Sequence, residues 1–138
     1  MPTSPPPPAR CSVPEQPFKL FFDGGCRPNP GLMETAVATR GQVWHRRDIG
    51  HGSNDEAEWH ALLDALDVAT ELGAQDLVLL GDSALIVAQA SGTQKPGHFT
   101  SFHTSYLAKA AAFTRVRIRR IKRAQNLAGI ALAKGWPR

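Results

Sequence analysis

Residues 18–31, Phe-Lys-Leu-Phe-Phe-Asp-Gly-Gly-Cys-Arg-Pro-Asn-Pro-Gly, constrain the fold more than any other stretch of the chain. Their opening, rich in phenylalanine, reads as a buried strand, and the Gly/Pro/Asn cluster behind it reads as a tight loop. One carboxylate, Asp23, stands at the junction. Asp often opens a turn. Burying an isolated charge, however, is costly unless it is paired or bound to a metal. For Asp23 alone the two readings are balanced, and the rest of the chain has to separate them.

The 138 residues suit one compact domain with a full core. Seven of the eleven prolines fall at or before Pro17, so residues 1–16 read as a disordered or polyproline lead-in and residues 17–138 as the domain. A net charge of +4 favours a polyanionic partner. Cys11 and Cys26 fit no metal-ligand spacing and are expected as reduced thiols. The chain has neither an apolar run of membrane-spanning length nor the apolar core of a secretory signal, so the expectation is a soluble, cytoplasmic monomer.

Past the loop, residues 34–40 and 42–49 alternate in polarity on either side of Gly41, which predicts two further strands and an antiparallel three-strand meander. The period then changes. Ser53-Asn54-Asp55-Glu56 offers capping side chains, and residues 57–72 read as a helix. At helical spacing Leu62, Ala65, Ala69 and Leu72 fall within about 40° of Glu58. Glu56, Asp64, Asp67 and Glu71 take the opposite side, as an ordinary solvated face. Glu58 is thus an acid on the stripe that meets the sheet, and it needs a partner there.

Residues 77–80, Leu-Val-Leu-Leu, form an apolar run of the type buried on both faces, and it too ends on an acid, in Gly81-Asp82-Ser83. Residues 83–90 read as a short helix. A helix between two strands implies a parallel crossover, and ligands of such sheets gather beyond the carboxyl ends of the strands. If the strands ending at Asp23 and Asp82 are neighbours, both acids converge there, and Glu58 reaches them from the covering helix. Gathered carboxylates repel one another. Divalent ions that prefer oxygen, Mg²⁺ or Mn²⁺, relieve that repulsion best.

The remaining chain reads as a polar loop over 91–99, a helix over 100–113, a strand over 115–123 and a helix over 124–134. The last strand holds six of the sixteen Lys and Arg residues and has one cationic face, suited either to a protected edge or to phosphate binding. Trp59 and Trp136 read as packing or helix-end residues. His98 and His103, near the loop before this strand, read as surface histidines with an open role in proton transfer or product release.

Four strings in this order resemble ribonuclease H of type 1. Asp23-Gly24-Gly25-Cys26-Arg27-Pro28-Asn29-Pro30-Gly31 is similar to the family's first-strand signature, and Ser53-Asn54-Asp55-Glu56-Ala57-Glu58 to its helix start. Gly81-Asp82-Ser83 matches its strand-ending D-S, and Arg123-Ala124-Gln125-Asn126 with Leu132-Ala133 its closing motif. The resemblance implies an α/β fold: a five-stranded mixed sheet, three strands antiparallel and the rest parallel, flanked by helices. It also implies hydrolysis of the RNA strand of an RNA/DNA hybrid with two divalent ions, Mg²⁺ or Mn²⁺. Carried over, Asp23 bridges both ions, and Glu58 and Asp82 hold the second. Gly24, Gly25, Cys26, Asn29, Ser53, Asn54 and Ser83 fall at substrate-contacting positions. The family's fourth carboxylate, which holds the water-activating ion with the first Asp, falls at Ile130, which cannot ligate a metal. Asn126, one turn earlier, would lend a neutral amide oxygen in its place. Three readings follow: a ribonuclease H weakened at its fourth ligand, a non-catalytic module that binds the hybrid, and a nuclease of the same fold that cuts another nucleic acid.

Overall fold

A computed structural model describes residues 16–135. The lead-in expected over 1–16 lies, apart from Gln16, outside the described residues, and so does Trp136. In chain order the elements are β1 (Phe18–Cys26), β2 (Gly31–Thr39), β3 (Gln42–Arg46), β4 (His51–Gly52), α1 (Asn54–Glu71), β5 (Asp76–Gly81), α2 (Ala84–Ser91), α3 (Thr100–Ala110), β6 (Arg115–Arg120) and α4 (Leu127–Gly135).

The strands form one mixed sheet in the order β3-β2-β1-β5-β6, with the two-residue β4 added to β2. The β1–β2 and β2–β3 pairs are antiparallel; β1–β5 and β5–β6 are parallel. This is the meander followed by crossovers that the sequence predicts. The β2–β3 turn is made by Arg40 and Gly41, both at positive φ (49° and 80°), as a two-residue hairpin requires. Arg40 is held there by its guanidinium, 3.7 Å above the Phe18 ring.

Side-chain alternation divides the core. Leu20, Phe22, Leu77 and Leu79 face α1, α2 and α3 and share a large apolar cluster with Trp59, Leu62, Leu66 and Ile86. Phe21, Ala36 and Ala38 face the other way and meet Ala128 and Leu132 of α4. Because α4 packs chiefly over β1 and β2, the outer side of β5 is left half-covered. Val78 and Leu80 are therefore partly exposed, whereas the apolar run predicts burial on both faces. Parallel pairing favours helices on both faces of a strand; here the last helix stops one strand short.

Three further expectations are corrected. Asp64 is not part of a solvated face: it accepts from Thr35 Oγ1 at 2.6 Å and from Arg46 Nε and Nη2 at 2.9 and 2.7 Å, tying α1 to β2 and β3. Leu72 caps α1 rather than lying within it, and is exposed. The final helix starts later than the sequence predicts. β6 ends at Arg120, a 3-10 turn spans Arg123–Gln125, and Asn126 caps α4 by accepting from Ala128 N (3.1 Å) and Gly129 N (3.4 Å). Among the described residues no helix is long and apolar enough to cross a membrane.

Candidate active site

The sequence reads the first strand as ending at Asp23, but β1 continues to Cys26 with Asp23 opposite Ala36 of β2; its parallel pairing with β5 runs only to Phe21 opposite Leu80, which sets Asp23 beside the carboxyl end of β5. Asp23 and Asp82 emerge there side by side. Glu58 comes from the first turns of α1, which packs against β1 at Gly24. A Cβ on Gly24 would collide with the Ala57 carbonyl and lie 2.8 Å from Glu58 N, so only glycine lets the two backbones approach this closely. The same approach lets Gly24 N–H donate to Glu58 Oε1 at 3.1 Å. One oxygen from each of Asp23, Glu58 and Asp82 lies within 4.8 Å of the others. The gathering predicted from strand ends and helical phase is present.

The charge these acids can carry follows from that geometry. Burial, with the Asp82 carboxylate second, pushes the Asp23 carboxyl up to about 7; the hydrogen bond with Glu58, the Arg123 guanidinium and the Gly24 N–H oppose the rise. Burial and then the charges of Asp23 and Asp82 hold Glu58, only 7% exposed, well above the usual carboxylate range. Without a cation the site therefore retains protons near neutral pH. Three convergent carboxylate oxygens in a partly buried pocket are a hard-donor set that fits a divalent ion such as Mg²⁺ or Mn²⁺.

Asn126 joins the cluster in an unexpected way. It is fully buried, and its Nδ2 donates to Phe22 O at 3.0 Å and to Asp82 Oδ2 at 3.1 Å. Its oxygen, expected as a neutral metal ligand, is occupied by the α4 cap. A flipped amide would set NH₂ against two backbone N–H groups, so the orientation is fixed by its partners. Asn126 holds Asp82 in place and offers no oxygen to a metal. Ile130 is 41% exposed and does not line the cleft; α4 instead approaches Asp23 at Gly129, where a Cβ would sit 3.2 Å from Asp23 Oδ2.

The acids stand in an open cleft of about 840 Å³. Gly24, Gly25, Cys26, Asn54 and Ser83 line it, as the sequence predicts; Asn29 and Ser53 lie just behind. Asn29 Oδ1 accepts from Asn54 N (3.1 Å), and Asn54 Oδ1 from Cys26 N (2.9 Å), which ties the β1–β2 loop to the start of α1. Ser53 and Ser83 cap their helices through Glu56 N (3.1 Å) and Ile86 N (3.2 Å). Burial pushes the Cys26 thiol up, and Sγ stays a donor, 3.3 Å from Gly52 O. Sequence reasoning does not place Arg27, Asp55, Arg120, Lys122, Arg123 and Gln125 in the same lining. The cationic run in the sequence is the available signal, but its alternation reads as strand through residue 123, whereas the strand ends at Arg120. His98 and His103 do not line the cleft; they pack against Phe99 and Tyr106.

With this geometry in place, comparisons with known proteins converge. The profile of the family described as "Reverse transcriptase-like" matches residues 23–135. The "Bifunctional protein Rv2228c" of Mycobacterium tuberculosis (strain ATCC 25618 / H37Rv) is 34% identical over 112 residues, covering 75% of this chain and 31% of that protein, so the chain spans about a third of its relative's length. "Ribonuclease HI" of Halobacterium salinarum is 35% identical over 82 residues, 52% of this chain and 39% of that protein. The crystal structure of RNase H1 from Halobacterium salinarum NRC-1 superposes with a TM-score of 0.77 at 26% identity, covering 85% of this chain and 94% of that one.

Proposed function

Since the chain belongs to the reverse transcriptase-like family, we propose that it is a divalent-ion-dependent ribonuclease that hydrolyses the RNA strand of RNA/DNA hybrids. The observation that carries this reading is the convergence of Asp23, Glu58 and Asp82 in a cleft that Arg120, Lys122 and Arg123 also line. An acid cluster alone would repel a nucleic acid. Acids that hold metal, in one lining with cations that hold phosphate, suit phosphodiester chemistry. The similarity to RNase H1 of Halobacterium supports the same reaction class.

In this reading Asp23, Glu58 and Asp82 hold Mg²⁺ or Mn²⁺. A bound ion supplies Lewis-acid stabilisation of the phosphate and an activated water. Gly24 N–H fixes the rotamer of Glu58, and Asn126 fixes that of Asp82. Arg120 and Lys122 meet backbone phosphates. Gly25, Cys26, Asn54 and Ser83 line the side that meets the ribose 2′-hydroxyls, the groups that separate RNA from DNA, while Asn29 and Ser53 brace that side from behind through Asn54 N and Glu56 N.

The decisive test is a substrate panel: labelled RNA/DNA hybrid, RNA duplex and DNA duplex, each in Mg²⁺ and in Mn²⁺, with Asp82→Asn as control. The expected result is cleavage of the hybrid's RNA strand alone, absent in the control. Ile130 favours a second reading, a module that binds the hybrid without cutting it. Tight binding with no cleavage in either metal would select that one. A second prediction concerns Ile130 directly. Because Ile130 stands outside the cleft and Gly129 is the α4 residue facing Asp23, Ile130→Asp should leave turnover within about threefold of the unmodified protein. A rise of about tenfold or more would show that a carboxylate at this position does reach the metal site.

A further inference from the structure

The outer face of β5 and β6 is left open where α4 stops over β1, and the strand register fixes what stands on it. Parallel pairing sets Lys19, Val78 and Arg117 in one row across β1, β5 and β6. Phe21, Leu80 and Arg119 form the row on the cleft side, and Asp76 and Arg115 the row on the far side. Alternate residues of a strand share a face. Two residues beyond Phe21 and Leu80 come Asp23 and, just past the end of β5, Asp82. The face therefore runs from Arg115 into the acid cluster.

Its charge is one-sided. Asp76 accepts from Arg117 Nη2 at 2.9 Å. Lys19, Arg115 and Arg119 are exposed and meet no carboxylate among the described residues; Arg119 Nη1 donates to the Ile118 carbonyl at 3.2 Å. The bordering helix α4 carries one further charge, Lys134. In the cleft the lining is formally balanced, with Arg27, Arg120, Lys122 and Arg123 against Asp23, Asp55, Glu58 and Asp82. The uncompensated positive charge thus lies on the sheet face and not in the cleft.

We infer that this face is a track for a single strand of nucleic acid continuing out of the cleft, with phosphates on Arg119, Arg117 and Arg115 in turn and on Lys19 across the face. Cations at alternate positions of β6 repeat about every 6.6 Å, which suits the regular charge of one extended strand. Between them Phe21, Val78 and Leu80 are partly exposed and offer apolar contact to the bases. Sign of charge alone would admit an acidic peptide. Continuity with the cleft proposed above for a hybrid favours nucleic acid.

The inference rests on the proposed function for what the cleft holds, and binding separates the two. Fluorescence anisotropy is measured on labelled RNA/DNA hybrids, blunt or carrying an oligo-dT or oligo-U tail at either end, in Mg²⁺ and in the Asp82→Asn background so that the hybrid survives. The test variant adds Lys19→Gln, Arg115→Gln and Arg119→Gln. All three side chains are exposed, so folding should be spared, and thermal unfolding checks it. A tail at one end is expected to tighten binding about tenfold at low salt and to steepen the log–log salt dependence by about 2, three cations at about 0.7 each. The triple substitution should remove both increments. It should leave binding of blunt hybrid, and its cleavage in the chain with Asp82 intact, within about twofold. A tail that adds nothing, as for a cationic edge that only blocks strand pairing, or an increment that survives the substitutions, would overturn the track and leave the ribonuclease reading standing. Displacement of the tail by polyglutamate as readily as by free oligo-dT would overturn it in favour of an acidic protein partner. A dimer in light scattering that the substitutions dissolve would overturn it in favour of a second copy of the chain. A tail increment lost on substitution, with no hybrid cleaved by the unmodified protein, would support the track and remove the ribonuclease reading instead.

Discussion

Asp23→Asn should abolish hybrid cleavage while making the metal-free protein harder to unfold. Both effects have one cause. Burial and the neighbouring Asp82 charge raise the Asp23 carboxyl from its ordinary 3.8 to about 7. A carboxyl whose folded value lies above its unfolded value binds its proton more tightly in the native state. Its stabilising contribution is complete below about pH 4 and is lost as pH rises through about 7. At pH 8 the folded chain therefore holds an ionised Asp23 at a cost that asparagine avoids. That cost is on the order of 2 kcal/mol, which for a domain of this size raises Tm by roughly 5 °C or more. Thermal unfolding from pH 4 to 8 with chelator should show the unmodified protein losing stability across this window, and the variant much less. Adding Mg²⁺ should stabilise the unmodified protein at pH 8 far more than at pH 5, where protons compete for the same oxygens. Turnover in Asp23→Asn should fall at least about 1,000-fold, beyond the loss expected from removing one oxyanion-type donor. A variant less stable than its parent at pH 8 would mean that Asp23 is not a buried, repelled charge.

Gly24→Ala should be the most destabilising methyl addition among the described glycines. The added carbon would collide with the Ala57 carbonyl and crowd Glu58 N at 2.8 Å, both of them backbone atoms that no rotamer change can move. Relief requires α1 to shift off β1, which opens the apolar seam at Trp59 and Leu62 and draws Glu58 away from Asp23. A loss of about 3 kcal/mol or more is expected, the upper end for overpacking in a core. Gly73→Ala is the control. Gly73 has φ +73° and open space, so its methyl strains the backbone without a collision; the cost should be near 1 kcal/mol. Denaturant midpoints for the two variants separate collision from conformational strain. Similar midpoints would show that β1 and α1 are not in backbone contact at Gly24.

Much of the site is legible in the amino-acid letters. Asp23 and Asp82 each follow an apolar run; β5 does stop just before Asp82, whereas β1 continues past Asp23 to Cys26 because β2 still pairs with it there. Glu58 falls on the apolar stripe of a helix, and that misplacement by phase marks a side chain with a buried partner. Such signals travel only a few residues along the chain. The closing motif brings Asn126 to the right place but not its chemistry, because the direction of an amide is set by its neighbours: the α4 backbone takes its oxygen, and Phe22 and Asp82 take its nitrogen. Asp64 reads as a solvated acid because helical phase gives an angle around the axis but not the height of the adjoining strands, from which Thr35 and Arg46 reach it. The basic run reads as strand to Arg123, since alternation persists in the letters after Gly81, the last β5 residue paired with β6, has been used at Arg120.

The order of strands and helices, and the three acids that converge, come from the chain's letters alone, because hydrophobic period and turn chemistry act between near neighbours. How much charge those acids bear, and which cation stands beside Asp23, is set by the closed fold. Electrostatic energy depends on distances and burial, and residues 23, 58, 82 and 123 acquire those only when the sheet closes against α1 and α4.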